Sequence, residues 1–206
     1  MLVDRTVTEL LNAFSSTEPT PGGGSASALA SAVGASLLMM VAGLPKTRTN
    51  TPEERAALQE ASRRVASLRD SLNGAIDADT AAYDRVVAAY RLPKASAEEQ
   101  AARQLAIQSA LREATDVPLD VMRWSAQALE QAIVIARHGL RGAASDVGVA
   151  AALLRAGSAG ARLNVDINVG SVKDSSYADA VRAEVRDLST AIDSSGASVS
   201  AALSQS

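Results

Sequence analysis

Between Ser25 and Leu44 the chain carries no charged residue and reads as a helix that is small and apolar all round. A helix with no polar face must be covered on every side. Two environments do this. One is a lipid bilayer, which asks for about 20 consecutive apolar residues. The other is the middle of a helical bundle. The segment is rich in Ser and Gly, and no second stretch of the chain is comparably long and apolar. The expected solution is therefore a central helix buried by its neighbours.

The remaining sequence supplies those neighbours. Apolar residues recur at helical spacing over Leu2 to Phe14, ahead of a Ser/Thr/Pro/Gly loop that ends in Pro21-Gly22-Gly23-Gly24-Ser25. Pro52 followed by Glu53 and Glu54 marks a helix start, and that helix runs to about Arg91. The next spans Ser96 to His138, with Pro118 expected to bend it. Gly139 to Gly142 forms a turn. Ser145 or Asp146 is expected to cap a fifth helix reaching Val172. A sixth covers Ser176 to Leu203, with Ser194-Ser195-Gly196 as a candidate break. No strand pattern intervenes. Aromatic residues make up only 2% of the chain and Ala leads its apolar residues, a balance that favours helices. The predicted fold is all-α, an up-and-down bundle of about six helices forming one domain over residues 1–206.

Composition excludes several function classes. The formal net charge is −3 with no Lys/Arg block, so the footprint of a nucleic-acid binder is missing. There is no cysteine and a single histidine, His138, which argues against a metal site, a thiol nucleophile or a disulfide framework. The residues Met1 to Asn12 are charged and amphipathic, without the apolar core of a signal peptide, so a cytoplasmic protein with no membrane partner is expected.

Polar residues on apolar faces mark candidate sites. Ile76, Asp79, Tyr83, Val86, Val87 and Tyr90 share one stripe of the third helix, which turns Asp79 towards the core or a cleft. A carboxylate there must be paired or used. Asp77 and Asp84 fall off the stripe and read as solvent-facing. On the fifth helix, Asn164 and Asn168 lie one turn apart on the packed side, where buried amides are ordinarily hydrogen-bonded within the fold. If successive helices alternate in direction, one end of the bundle gathers Gly22, Gly23, Gly24, Ser25, Asp79, Lys94, Asn164 and Asn168. Asp146 would lie at the other end, roughly 27 Å from Asn164 at about 1.5 Å per residue. It is then either a helix cap or a residue that reaches a site across a dimer interface. Three glycines before a helix let a ligand approach the backbone, and the helix start favours an anion. No Walker or Rossmann pattern surrounds them.

Five segments in order resemble the cyclodeaminase domain of formiminotransferase-cyclodeaminase and the stand-alone methenyltetrahydrofolate cyclohydrolases. They are Pro21-Gly22-Gly23-Gly24-Ser25, then Asp77-Ala78-Asp79 through Tyr83 closing with Tyr90-Arg91-Leu92-Pro93-Lys94, then Val117-Pro118-Leu119, Ser145-Asp146-Val147-Gly148-Val149-Ala150, and Asn164-Val165-Asp166-Ile167-Asn168. Two stretches depart from the family pattern. Gly139-Leu140-Arg141-Gly142 stands where a Gly-Asn turn is usual, and Lys46 to Asn50 matches a basic and aromatic stretch only weakly.

The resemblance implies a homodimer or higher homo-oligomer acting on a one-carbon tetrahydrofolate. The reaction would close 5-formimino-tetrahydrofolate to the 5,10-methenyl form, or hydrate that form to 10-formyl-tetrahydrofolate. It implies no metal and no cofactor beyond the tetrahydrofolate substrate. Asp79 would move protons, and Lys94 would orient water, stabilise charge or bind the substrate's glutamate. Asn164 and Asn168 would hold the pterin edge, Tyr83 would pack on it or position Asp79, and the glycine loop with Ser25 and Asp146 would complete the substrate site. The residues alone leave open a different cyclic amidine or iminium substrate, a folate-binding protein without chemistry, and a purely structural assembly.

Overall fold

The computed structural model describes residues 1–204. Among them are six α-helices: α1 (Val7–Phe14), α2 (Gly23–Ala42), α3 (Pro52–Tyr90), α4 (Ala97–His138), α5 (Ala144–Val169) and α6 (Ser175–Ser204). Short 3-10 turns occupy Leu2–Asp4 and Arg141–Ala143.

Three helix starts carry their own chemistry. Thr6 and Glu9 form a capping box on α1, Ser96 and Glu99 form one on α4, and Thr51 caps α3 ahead of Pro52. Because Thr6 is the cap, α1 begins at Val7 and not at Leu2 as the periodicity suggested. Leu2 is instead buried, and its N–H donates to Asp77 Oδ1 at 2.6 Å. Asp77 is thus half-buried, with Oδ2 enclosed and unpartnered, contrary to its expected solvent-facing position.

Helix α5 starts differently from its expected Ser145 or Asp146 cap. The residue before it is Ala143, with no side-chain cap, because the Arg141–Ala143 turn feeds directly into the helix. Asp146 falls in the first turn, where its charge suits the helix dipole. Helix α6 is unbroken through Ser194-Ser195-Gly196. There Gly196 permits close approach: an added Cβ would sit 2.8 Å from Arg155 Cδ.

The uncharged α2 is the centre of the bundle. It packs between α3 and α5 with α4 behind it, and Ala28, Ala35 and Leu38 are fully buried. It is long and apolar enough to cross a membrane, with a mean hydropathy of 1.7, but much of it is enclosed by the other helices. Its contact with α5 depends on absent side chains. A Cβ on Gly157 would lie 2.5 Å from the Ser27 carbonyl oxygen, and one on Gly34 would lie 2.8 Å from the Ala150 carbonyl oxygen. Against α4, two fully buried serines satisfy each other, Ser31 of α2 and Ser125, with their hydroxyls 2.9 Å apart.

Pairings along the helices give the directions. Ser27 meets Gly160 while Gly34 meets Ala150, so α2 and α5 are antiparallel. Arg123 on α4 forks onto Glu184 of α6 through two 2.6 Å bonds, while Arg112 upstream pairs with Asp174, so α4 and α6 run parallel. This is the alternating topology expected from the sequence.

The loop before α3 is folded onto Glu54. The Thr47 hydroxyl donates to its carboxylate at 2.5 Å and the Thr49 N–H at 2.8 Å. These bonds hold the Glu54 carboxyl down from 4.5 to about 2. A lowered folded value means that this stabilisation is complete above the unfolded pKa and is lost as pH falls through the folded one. Acid titration followed by circular dichroism should show it. Glu54→Gln should be less stable than the parent at neutral pH, with the gap closing as pH falls from 4.5 towards 2.

Candidate functional site

Helix α2 is shorter than the helices around it. Its first turn is level with Ile76–Thr80 of α3, while α3 itself continues to Tyr90. A recess opens where α2 stops. Its floor is the start of α2, its walls are α3, α4 and α5, and the loop from Pro19 to Gly22 borders one side. The cavity measures about 290 Å³ and is lined by Pro19, Thr20, Gly22, Gly23, Gly24, Asp79, Ala82, Tyr83, Val86, Ala114, Asn164 and Asn168.

Asp79 is the chemical centre of this recess. The N-cap residue of α2 is Gly22, which has no side chain to offer the free N–H groups of the first turn. The Asp79 carboxylate does this from the neighbouring helix. Its Oδ2 accepts the Ser25 N–H at 2.8 Å and lies 3.1 Å from the Ser25 hydroxyl. That hydroxyl also lies 2.8 Å from the Ile76 carbonyl oxygen and 3.3 Å from the Thr80 hydroxyl. Burial pushes the Asp79 carboxyl up from its ordinary 3.8, and the two bonds from Ser25 oppose that shift.

Gly24 makes room for this carboxylate. A Cβ there would stand 1.9 Å from Asp79 Oδ1, so the absence of a side chain, and no unusual backbone angle, is what the position requires. Gly22 and Gly23 are under no such constraint, since an added Cβ would meet nothing closer than 3.7 Å.

Two amides form the opposite wall. Asn164 Nδ2 donates to the Gly160 carbonyl of its own helix at 2.9 Å. Asn168 Nδ2 donates to the Ala114 carbonyl of α4 at 2.6 Å. Tyr83 stands at the mouth and is 42% exposed, so the buried stripe that begins at Ile76 opens to solvent beyond Asp79.

The structure therefore gathers Gly22, Gly23, Gly24, Ser25, Asp79, Tyr83, Asn164 and Asn168 in or under one recess. It does not bring Lys94 or Asp146 there. Lys94 follows the end of α3 and is exposed, its carbonyl oxygen accepting from Gln100 Nε2 at 3.2 Å. The helix from Asp79 to Tyr90 alone rises about 17 Å. Asp146 is at the far end of α5, half-buried, with no hydrogen bond or ion pair among the described residues. The two stretches that depart from the family pattern meet at that far end too: the Arg48 N–H donates to the His138 carbonyl at 2.9 Å, and Thr47 bridges to Gly139. Neither touches the Asp79 recess. Ala114 was missed by the sequence reading, yet a signal existed, since it lies four residues before Pro118.

The family model described as formiminotransferase-cyclodeaminase matches residues 6–187. The chain belongs to this family. A methenyltetrahydrofolate cyclohydrolase from Methylorubrum extorquens is 38% identical over 91% of this chain and 90% of its own length. The formimidoyltransferase-cyclodeaminase of Rattus norvegicus is 29% identical over 91% of this chain, but only 35% of that longer protein is covered. The fold matches the crystal structure of formiminotetrahydrofolate cyclodeaminase from Thermotoga maritima with a TM-score of 0.88, covering 100% of this chain and 98% of that one at 24% identity.

Gly24→Ala should force the Asp79 carboxylate off its seat and lower stability by about 1–3 kcal/mol, the usual cost of overpacking. Gly22→Ala should leave the melting transition close to the parent's. Thermal denaturation of the two variants side by side checks this.

Proposed function

We propose that the protein is an enzyme of folate one-carbon metabolism that hydrates 5,10-methenyl-tetrahydrofolate to 10-formyl-tetrahydrofolate. The observation that carries this reading is the near full-length match, in both directions, to a stand-alone cyclohydrolase. The recess suits the chemistry. Asp79 is half-buried, burial raises its carboxyl above the ordinary value, and Oδ2 is pinned while Oδ1 has no partner among the described residues. Such a group is placed to accept a proton and return it.

In the proposed reaction, water attacks the methenyl carbon and gives one proton to Asp79. The resulting tetrahedral carbon breaks its bond to N5. Asp79 returns its proton to N5, and the second proton of the water leaves to solvent as the formyl C=O forms on N10. The chain supplies acid–base groups, and no further cofactor enters. Tyr83 packs against the bound ring system, and the backbone of Gly22 to Gly24 and Ser25 forms the floor beneath it. Lys94, beyond the outer end of the recess, is assigned to the glutamate tail of the substrate and not to the reacting carbon.

Closure of 5-formimino-tetrahydrofolate with loss of ammonia is the second reading. It is favoured by the formimidoyltransferase-cyclodeaminase relative named above, and the same carboxylate would protonate the departing nitrogen. The absorbance of the methenyl chromophore separates the two, decaying in the first reaction and growing in the second. Asp79→Asn should lower the turnover number by 10²- to 10⁴-fold, the usual range for a lost acid–base group, while the protein still melts cooperatively. Near-parental turnover in that variant removes Asp79 from the mechanism.

We also infer a homodimer. Val33 and Met40 on α2 and Val149, Leu163 and Ile167 on α5 are 43% to 73% exposed, and each set repeats at helical spacing on two helices that pack together. A second copy would cover this face, and only a second copy could bring an Asp146 to the recess. Leu163→Lys should shift the mass found by light scattering from dimer to monomer. A parent protein that is monomeric in the same experiment contradicts this inference.

A further inference from the structure

Pro118 lies within α4 and is buried, and the helix continues unbroken on both sides of it. A proline has no backbone N–H, so the carbonyl four residues earlier loses its partner in the helix. That carbonyl belongs to Ala114. A buried carbonyl without a donor is costly, and here it is not left empty. Asn168 Nδ2 donates to it at 2.6 Å, from α5. Two motifs that are distant in sequence, one around Pro118 and one around Asn168, are joined by one hydrogen bond.

The bond also decides which end of the amide faces the recess. A carbonyl oxygen only accepts, so the NH2 group must be the end turned to Ala114. The reverse orientation would set two oxygens against each other. Asn164 is fixed by the same logic, its NH2 on the Gly160 carbonyl at 2.9 Å. Neither Oδ1 accepts a hydrogen bond among the described residues, and both residues line the cavity. With Asp79 Oδ1 these make three unpartnered acceptors on residues that line the recess, beside the second N–H that each amide keeps, and no Lys or Arg lines it.

We infer that this wall recognises a donor edge, the ring N–H and exocyclic amine of a 2-amino-4-oxo pyrimidine ring, and that Pro118 is the positioning residue that makes Asn168 an acceptor. The inference rests on the folate reading above and assigns the orientation of the substrate within it. The amides and Asp79 flank consecutive residues: Gly23 faces Asn164, and Gly24 faces Asp79. A pyrimidine end held by Asn164 and Asn168 leaves the bridging carbon at the Asp79 end.

Calorimetric titration tests this with 6-methyltetrahydropterin and its analogue carrying a methyl group in place of the 2-amino group. The parent should bind the aminated ring at least about tenfold more tightly, as expected for a lost hydrogen bond to a buried acceptor. Pro118→Ala restores the N–H to the helix, which then competes for the Ala114 carbonyl and releases the Asn168 amide. That variant should melt at or above the parent temperature, yet bind the pterin about tenfold more weakly and discriminate less between the two compounds. In turnover its KM should rise with little change in kcat. Asn168→Leu should lose the same discrimination without the gain in helix stability. A parent that binds neither compound, or both alike, overturns the inference, as does a Pro118→Ala protein with parental affinity and selectivity. These outcomes are separable from the fate of the folate reading: hydration of the methenyl substrate by a protein blind to the 2-amino group defeats only the orientation, and pterin selectivity without turnover defeats only the activity.

Discussion

The hydrogen bond from the Ser25 N–H to the Asp79 carboxylate is the interaction on which the site depends. Helix α2 begins with glycines and brings no cap of its own, so its first free N–H groups look for an acceptor elsewhere. The acceptor comes from α3, fifty-four positions along the chain. One contact thereby ends the central helix, fixes the register of α3 against it, and holds a carboxylate at a depth where water stabilises it poorly. The helix dipole and the Ser25 bonds favour the charged form, while burial favours the neutral one. Burial outweighs the Ser25 bonds, so the carboxyl is raised, and the close seat of the carboxylate on Gly24 leaves no room for an added side chain.

Close packing of small side chains sets the stage for that contact. Gly34, Gly157 and Gly160 let α2 and α5 approach until backbone touches side chain and backbone touches backbone. The recess at the start of α2 arises mainly from helix length. Helix α2 stops, while α3, α4 and α5 pass beyond it. The pocket is a consequence of unequal helices and needs no separate lid or domain.

The polarity of the recess is as specific as its shape. Each asparagine spends one amide N–H on a backbone carbonyl, of Ala114 or of Gly160, and neither side-chain oxygen has a partner among the described residues. The resulting acceptor-rich wall would repel a carboxylate or phosphate, although the glycine-rich helix start had suggested an anion. One N–H of that helix start, on Ser25, is already bonded to the Asp79 carboxylate.

Much of this was legible from residues alone. The uncharged stretch after Gly24 pointed to a central helix, since its Ser and Gly content and the lack of a second such stretch favour a bundle over a bilayer as its cover. Pro52 with its following acidic pair and Ser96 placed two helix starts, and period counting put Asp79, Asn164 and Asn168 on packed faces. Alternation of direction then brought them to one end of the bundle. What the sequence could not decide were matters of partnership. Ser145 and Asp146 look like caps, but a preceding 3-10 turn removes the need for one. Asp77 looks solvent-facing until Leu2 folds back onto it. Lys94 is near Asp79 in sequence, yet a straight helix carries it past the recess. Pro118 reads as a bend, and only the packing of α5 against α4 turns its missing N–H into the bond that orients Asn168. Local propensity and periodicity are properties of the chain; which buried carbonyl meets which amide is a property of the assembled helices.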